Sequence, residues 1–437
     1  MVADGSSEPA DGANRADTGP DGTSVATMTG DEPGTDRPTR LDLFDASRVE
    51  PPWALLADLR RDAPVVPIEG GMRYVTTHAA CRAVLRDVES FSNASGFKAP
   101  GVKIPADERI LGELDPPRHT AVRRVMVTAL TPTVVRGAEE FIGRTAHALL
   151  QGVPGRGRAD LVPAFTIPLP NRVTVELLGL PADDADQIAQ WAKELMESDF
   201  PATNRTARGE GFAGAFPAFA GYIDDQIRRR ADQLGGEAPP DVLGRLIQLE
   251  VDGVRLHPTQ VRALVRNLIT GGLTTTSQLL GNLIYQLFTV PGLDAAVRDD
   301  GARLASAIEE SLRVTPPVLF VPRGCRRDTA VGPSAVHAGD RVIVGTASAN
   351  RDEDLFDGGD EFQVDRRNAD QHLTFGFGPH VCPGATLART VARIGVQSFL
   401  ERFPAGTARL ASSFRYENVP TYFECGPARL PIETGIA

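Results

Sequence analysis

The sequence predicts a mainly helical fold with a minor β part, and three observations carry that expectation. From residue 116 to about 290, apolar residues recur at helical spacing through most of the chain. From Pro316 onward, "PPVLFVPRGCRRDTAVGPSAVHAGDRVIVGTASAN" is rich in Val, Gly and Pro and reads as short strands. Residues 1 to 40 hold Gly, Asp, Thr and Pro with almost no large apolar side chains, so they read as a disordered tail ahead of one domain at 41–437.

The elements follow in order. "PVVPIEGGMRYVTTH" predicts two short strands around a Glu-Gly-Gly turn, and "HAACRAVLRDV" a short helix. Residues 92 to 113 form a long loop, of the kind that carries function or moves. "VVRGAEEFIGRTAHALLQGV", "ADQIAQWAKELM" and "FPAFAGYIDDQIRRRADQL" each space their apolar residues for a helix, and the segment between the last two is a connector. A long helix starts near Pro258 and stops before Pro291, because proline suits a first helical turn and disfavours helix in the residue before it. A further helix ends near Arg313, and the short strands follow. Residues 351 to 381 are irregular. "GATLARTVARIGVQSFLERF" is a last amphipathic helix, and "YENVPTYFECGPARLPI" a closing hairpin.

Composition narrows the function. The net charge of −11 argues against nucleic acid as a general partner. The four cysteines, Cys81, Cys325, Cys382 and Cys425, form no CxxC pair and no zinc-like spacing, which suits a reducing compartment. The N-terminus has no apolar signal core, and no segment offers the roughly 20 apolar residues of a spanning helix. The expectation is a soluble, cytoplasmic protein without a membrane anchor.

The densest motif is "FGFGPHVCPG", residues 375–384. Gly376, Gly378 and Gly384 let the chain fold tightly around Cys382, Phe375 and Phe377 shield it, and a helix start favours its thiolate. Proline at 383 removes one amide N–H that could point at the sulfur, and it suits a first helical position. Fewer N–H···S bonds would leave the thiolate more electron-donating. In "EESLR", Glu310 and Arg313 lie three apart on one helix face; exposed, such a pair contributes about 0.2–0.5 kcal/mol. In "ITGGLTTTSQLLGN", Gly271 and Gly272 weaken the long helix and the threonines can bond back to it. Something approaches that backbone, either a neighbouring helix or a ligand.

The ten-residue pattern F-G-x-G-x-H-x-C-x-G resembles the haem-binding loop of the cytochrome P-450 family, and the resemblance covers about residues 41 to 437. It implies a triangular helical prism enclosing haem b, iron protoporphyrin IX, with Cys382 as the iron ligand whose thiolate promotes O–O cleavage. It implies that His119, Arg123, Arg323 and His380 face the haem propionates, that Phe375 and Gly271 line the haem, and that Glu310, Arg313 and Arg366 form a buried structural network. It places Thr275 at the oxygen-activating threonine. The family carries an acid one position earlier, where this sequence has Thr274. That departure leaves the protonation route to ordered water, Thr275 or the substrate.

The activity so implied is insertion of one oxygen atom of dioxygen into a largely hydrophobic small organic substrate, as in secondary metabolism. Electrons would come from a separate ferredoxin-type donor with its reductase, docking near Arg389 and Arg393. Pocket candidates are the 92–113 loop with Lys98 and Lys103, the 199–212 connector, the "VLFV" stretch with Val318 and Phe320, and Tyr422 with Phe423. Two other readings stay open at this point: a peroxide-driven or oxidative-coupling enzyme, and a non-catalytic haem sensor or carrier-protein recruitment module.

Overall fold

The computed structural model describes residues 43–45, 47–68, 72–94, 104–199, 211–235 and 239–435. The 1–40 tail, the Glu-Gly-Gly turn, Lys98, Lys103 and nearly all of the 199–212 connector lie outside the described residues. Residues 39–437 form one unit.

In chain order, α1 is Trp53–Asp62, followed by β1 (Val65–Ile68), β2 (Met72–Val75), α2 (His78–Arg86) and β3 (Phe91–Ser92). Thr77 caps α2 by accepting the Ala80 N–H. Next come α3 (Arg118–Ala129), α4 (Pro132–Gly137), α5 (Glu139–Gln151), β4 (Gly157–Asp160), α6 (Pro168–Leu178), α7 (Ala185–Asp199), α8 (Gly211–Ala215), α9 (Pro217–Gln233) and α10 (Val242–Gln248). The helix expected at 134–153 is therefore two. At Ala138 the N–H turns to the Val135 carbonyl, a tightened three-residue turn that interrupts the α ladder beside Gly137.

Strands β5 (Glu250–Val251) and β6 (Val254–Arg255) precede α11, Pro258–Thr289. Both predicted ends of α11 hold: Pro258 opens it, and Val290 is already extended ahead of Pro291. This helix is buried on nearly every face and packs against α6, α7, α9, α13 and α15. The chain continues through α12 (Leu293–Asp299), α13 (Ala302–Val314), β7 (Val321–Cys325), β8 (Thr329–Val331), β9 (Ser334–Val336), β10 (Arg341–Val344) and α14 (Thr346–Ala349). Apart from single turns, 351–381 is irregular, and α15 (Ala385–Arg402), β11 (Ala408–Leu410) and β12 (Pro431–Thr434) close the chain.

The main sheet has the order β1-β2-β10-β7-β3, with β2 and β10 parallel and the other neighbours antiparallel. Pro322 is tolerated in β7 because β3 pairs only with Gly324 and Cys325, leaving the proline's other side free of a ladder. The predicted closing hairpin is reduced to one bridge, Asn418 with Pro427, because β12 instead pairs with β11 and β4. Two glycines set close approaches that matter below. A Cβ on Gly395 would stand 3.0 Å from Leu169 and 3.1 Å from Leu280, so its absence lets α15 close on α6 and α11. A Cβ on Gly281 would meet Pro427 at 3.1 Å, so α11 receives the 417–428 segment there.

Candidate active site

The cysteine loop is held from three directions. Gly376 and Gly378 take left-handed φ of 75° and 71°, which only glycine adopts freely. The Cys382 N–H donates to the Phe375 carbonyl at 2.7 Å, and Arg389 lies over the Phe375 ring at 4.5 Å. Arg82 and Arg86 stack on Phe377 from α2. Cys382 is exposed and lines a cavity. Burial pushes the thiol up from its ordinary value. The Gly384 amide, then Arg123 and Arg389, and last the Ala385 amide act in the opposite direction and favour thiolate.

Helix α15 begins at Ala385 with Gly384 as its cap, so Pro383 is not the first helical residue. The amides that reach the sulfur are those of 384 and 385, beyond the proline.

The cavity is walled mainly by apolar groups of α6, α11 and α15. Cys382 and Phe375 form one wall; Gly271 and Thr275 of α11 form another. Thr275 Oγ1 donates to the Gly271 carbonyl at 2.7 Å, so the hydroxyl bonds back onto its own helix. Gly271 is open to the cavity, whereas Gly272 is crowded by Thr174, 3.3 Å from where its Cβ would be.

A cluster of two histidines and two arginines, His119, His380, Arg123 and Arg323, stands near the sulfur, with hydrogen-bonding capacity unmet among the described residues. His119 of α3 and His380 have ring centroids 3.8 Å apart. Neither ring nitrogen of His119 nor Nε2 of His380 has a hydrogen-bond partner, although these atoms are buried. Arg323 is buried and donates only to the Pro322 carbonyl. Asp115, the acid that acts on this cluster, is engaged by Ser92, the Asn93 N–H and Arg326. Burial, reinforced by Arg123, lowers His119 to about 4; burial, then His119 and Arg323, lower His380 to about 3. Arg323 falls to about 10 through burial. Buried donors left this way fit a ligand carrying carboxylates, and with the lone cavity-facing thiol they fit haem.

Glu310, Arg313 and Arg366 make a complete network. Arg313 donates to both Glu310 oxygens at 2.8 Å and to the carbonyls of Asn350, Gly359 and Glu361, five bonds for five N–H groups. Arg366 adds Nε to Glu310 at 3.0 Å, and the Gln363 N–H a fourth bond to the same carboxylate. Burial alone would raise Glu310, but these bonds hold it below the usual range. Asn350 also accepts the Leu373 N–H and donates to Thr374, tying the network to the start of the cysteine loop.

Other expectations fare differently. Val318 lines the cavity. Phe320, Tyr422 and Phe423 instead pack on one another and on Phe44, with centroids 5.6–6.2 Å apart. Arg389 is clamped by both oxygens of Glu309, at 2.6 and 2.7 Å, and Arg393 pairs with Glu139 at 3.2 Å. They are ion-paired within the chain rather than free for a partner.

One residue escaped the sequence reading. Glu424, almost completely buried, lies across a β-bridge from Val318, and Thr274 Oγ1 donates to its Oε1 at 2.7 Å. Gln278, one turn further along α11, bonds the same carboxyl. Burial raises Glu424 to about 7 against those two bonds. Nothing in "TYFECG" signals this, because the contact spans 150 residues.

The Cytochrome P450 family model matches residues 195–410. Cytochrome P450 109 of Bacillus spizizenii is 31% identical over 87% of this chain and 91% of its own length. The erythromycin C-12 hydroxylase of Saccharopolyspora erythraea is 32% identical over 80% of this chain and 86% of its own. Among solved structures, cytochrome P450 CYP109Q5 from Chondromyces apiculatus superposes with a TM-score of 0.78 at 28% identity. That match covers 90% of this chain and 98% of the other.

Proposed function

We propose, on the premise that the chain belongs to the cytochrome P450 family, that it is a monooxygenase hydroxylating a largely hydrophobic small organic molecule. Oxidoreductase activity and a haem site come with the family; the substrate class, haem b and the electron donor are our reading. The observation that carries it is Cys382, a lone thiol lining the same cavity as Gly271 and Thr275, beside buried His119 and His380 nitrogens without hydrogen-bond partners among the described residues.

When bound, haem supplies the redox chemistry that activates dioxygen and delivers one oxygen atom to the substrate. The chain does the rest. Cys382 holds the iron as thiolate, favoured by the Gly384 and Ala385 amides. His119, Arg123, Arg323 and His380 take the two carboxylates of iron protoporphyrin IX. Gly271 leaves room at the α11 wall, and Thr275 keeps a hydroxyl proton beside it. Apolar walls including Val318 and Leu279 exclude water and favour an apolar substrate. The hydroxylase among the relatives supports hydroxylation as the outcome.

Electrons come from a separate ferredoxin-type protein with its reductase. Cys81, Cys325 and Cys425 are buried singly and build no redox centre.

The spectrum of the dithionite-reduced, carbonyl-bound protein tests the reading. A red-shifted thiolate band is expected, and Cys382→Ser is expected to abolish both it and turnover. Undiminished turnover in that variant would overturn the proposal. Thr275→Ala is expected to release oxygen as peroxide at the expense of product; full coupling would remove Thr275 from oxygen activation.

A further inference from the structure

We propose that Glu424 is the proton-relay carboxyl of this cavity, supplied by the C-terminal segment in place of the acid that α11 lacks at position 274. The inference rests on the monooxygenase reading above and adds the route by which protons reach it.

The geometry carries it. Thr274 and Gln278, one turn apart on α11, both bond the Glu424 side chain, so the carboxyl lies flat against the helix that forms the cavity wall. Thr274 lies three residues from the cavity-lining Gly271 and immediately before Thr275. The backbone is fixed as tightly as the side chain. The Glu424 N–H donates to Thr421 Oγ1 at 3.0 Å, and Asn418 Nδ2 donates to the Glu424 carbonyl at 3.0 Å. The neighbouring segment is pinned by Pro427 against Gly281, and Gly426 is obligatory because a Cβ there would collide with Gln278. Two glycine-dependent contacts thus hold one carboxyl on a helix that has no acid of its own at this turn.

The carboxyl's surroundings suit a group that exchanges protons near neutrality. Its partners Thr274 and Gln278 are neutral, and no charged side chain contributes to its titration. On its own segment Tyr416, Tyr422 and Cys425 are pushed upward by burial and uncharged near neutrality, and the charged Glu417 pairs with Arg429. The facing residues Pro317 and Val318 do not titrate. Glu424 itself is raised to about 7, so its two protonation states are of similar energy there. On the same segment Pro420 is exposed and Thr421, whose hydroxyl accepts the Glu424 N–H, is half-buried.

In the transfer, the carboxyl O–H bond breaks and a new O–H bond forms at Thr274 Oγ1, whose own proton passes to a water or to Thr275 in the cavity. The carboxylate left behind accepts the hydroxyl of Thr274, the bond seen in the structure, until a proton from solvent restores the acid.

Glu424→Gln keeps the size and hydrogen bonds but carries no exchangeable acid. In the wild-type haem-loaded protein, infrared difference spectra are expected to show a protonated-carboxyl band that disappears through about pH 7, missing in Glu424→Gln. That variant is expected to lose product formation by roughly 100-fold, the lower end for a positioned proton donor, with more peroxide released and a larger solvent deuterium effect. Glu424→Asp should recover part of the loss. Thr274→Val, which leaves the carboxyl in place, should give the same peroxide release. An unchanged carboxyl band in Glu424→Gln, or wild-type coupling in both variants, would overturn the relay. A thiolate-type carbonyl spectrum retained in Glu424→Gln separates failure of the relay from failure of the monooxygenase reading, which would show as loss of that spectrum in the wild type.

Discussion

Two clusters of charged side chains lie inside this chain, and they are finished to different degrees. Around Glu310, every N–H of Arg313 has an acceptor, and the carboxylate accepts four bonds from two arginines and one amide. Around His119 and His380, buried nitrogens stand without partners, and Arg323 reaches only a neighbouring carbonyl. The first cluster is a scaffold whose electrostatics close on themselves. The second leaves hydrogen-bonding capacity unmet among the described residues, as a site for an anionic ligand would. Burial is common to both, so burial does not identify a binding site; unmet hydrogen-bonding capacity does.

The sharpest way to break the comparison is to open the finished cluster. Arg313→Ala leaves Glu310 charged and enclosed, and should destabilise the fold by about 3–5 kcal/mol, measured by denaturant unfolding. A change below about 1 kcal/mol would mean the network is solvated in solution.

Next is the unfinished cluster. Arg323→Ala should weaken binding of iron protoporphyrin IX by about 10- to 100-fold, as expected for a charged hydrogen bond of about 1.5–3 kcal/mol. The dimethyl ester of the porphyrin, which lacks the anions, should bind wild type and variant alike. Equal loss for both porphyrins would make Arg323 a packing residue.

The sign of charge pairing is read at low pH. Glu309 is held down to about 2: burial would raise it, but the two hydrogen bonds from Arg389 prevail, with His372 Nε2 3.3 Å away adding to them. Its folded value lies below its unfolded one near 4.5. The stability it adds is therefore complete above about pH 5 and is lost as pH falls toward 2. Glu309→Gln should flatten that limb by about 1–2 kcal/mol, discounted because Arg389 is partly exposed. The smallest effect belongs to the surface. Arg144 and Glu140 pair one turn apart on α5 in full exposure, and Arg144→Ala should cost about 0.3–0.5 kcal/mol, falling with added salt.

What could be read from the sequence divides along the same line. Cys382 with its glycines, and Glu310 with Arg313, are legible because their chemistry lies within a few residues, where spacing fixes geometry. Proline placed both ends of α11 for the same reason. Contacts between distant segments were not legible: Arg389 looks like a free surface cation until Glu309, 80 residues away, closes on it. Glu424 looks like an ordinary acid in a hairpin until Gly281 admits Pro427 and brings it to Thr274. Phe320, Tyr422 and Phe423 were assigned to the pocket by position, but aromatic packing with Phe44 draws them together instead. The break at Ala138 arises from a one-residue change in hydrogen-bond partner, which no apolar spacing records.

Gly378 has a consequence for biogenesis. Its Cα rests against the Leu85 carbonyl and the Arg86 backbone, where a Cβ would stand 3.1 and 3.4 Å away. The thiolate loop thus takes its shape from a helix made nearly three hundred residues earlier. A nascent polypeptide cannot assemble that junction until residue 378 has left the ribosome, so α2 waits nearly three hundred residues for the partner that fits against it.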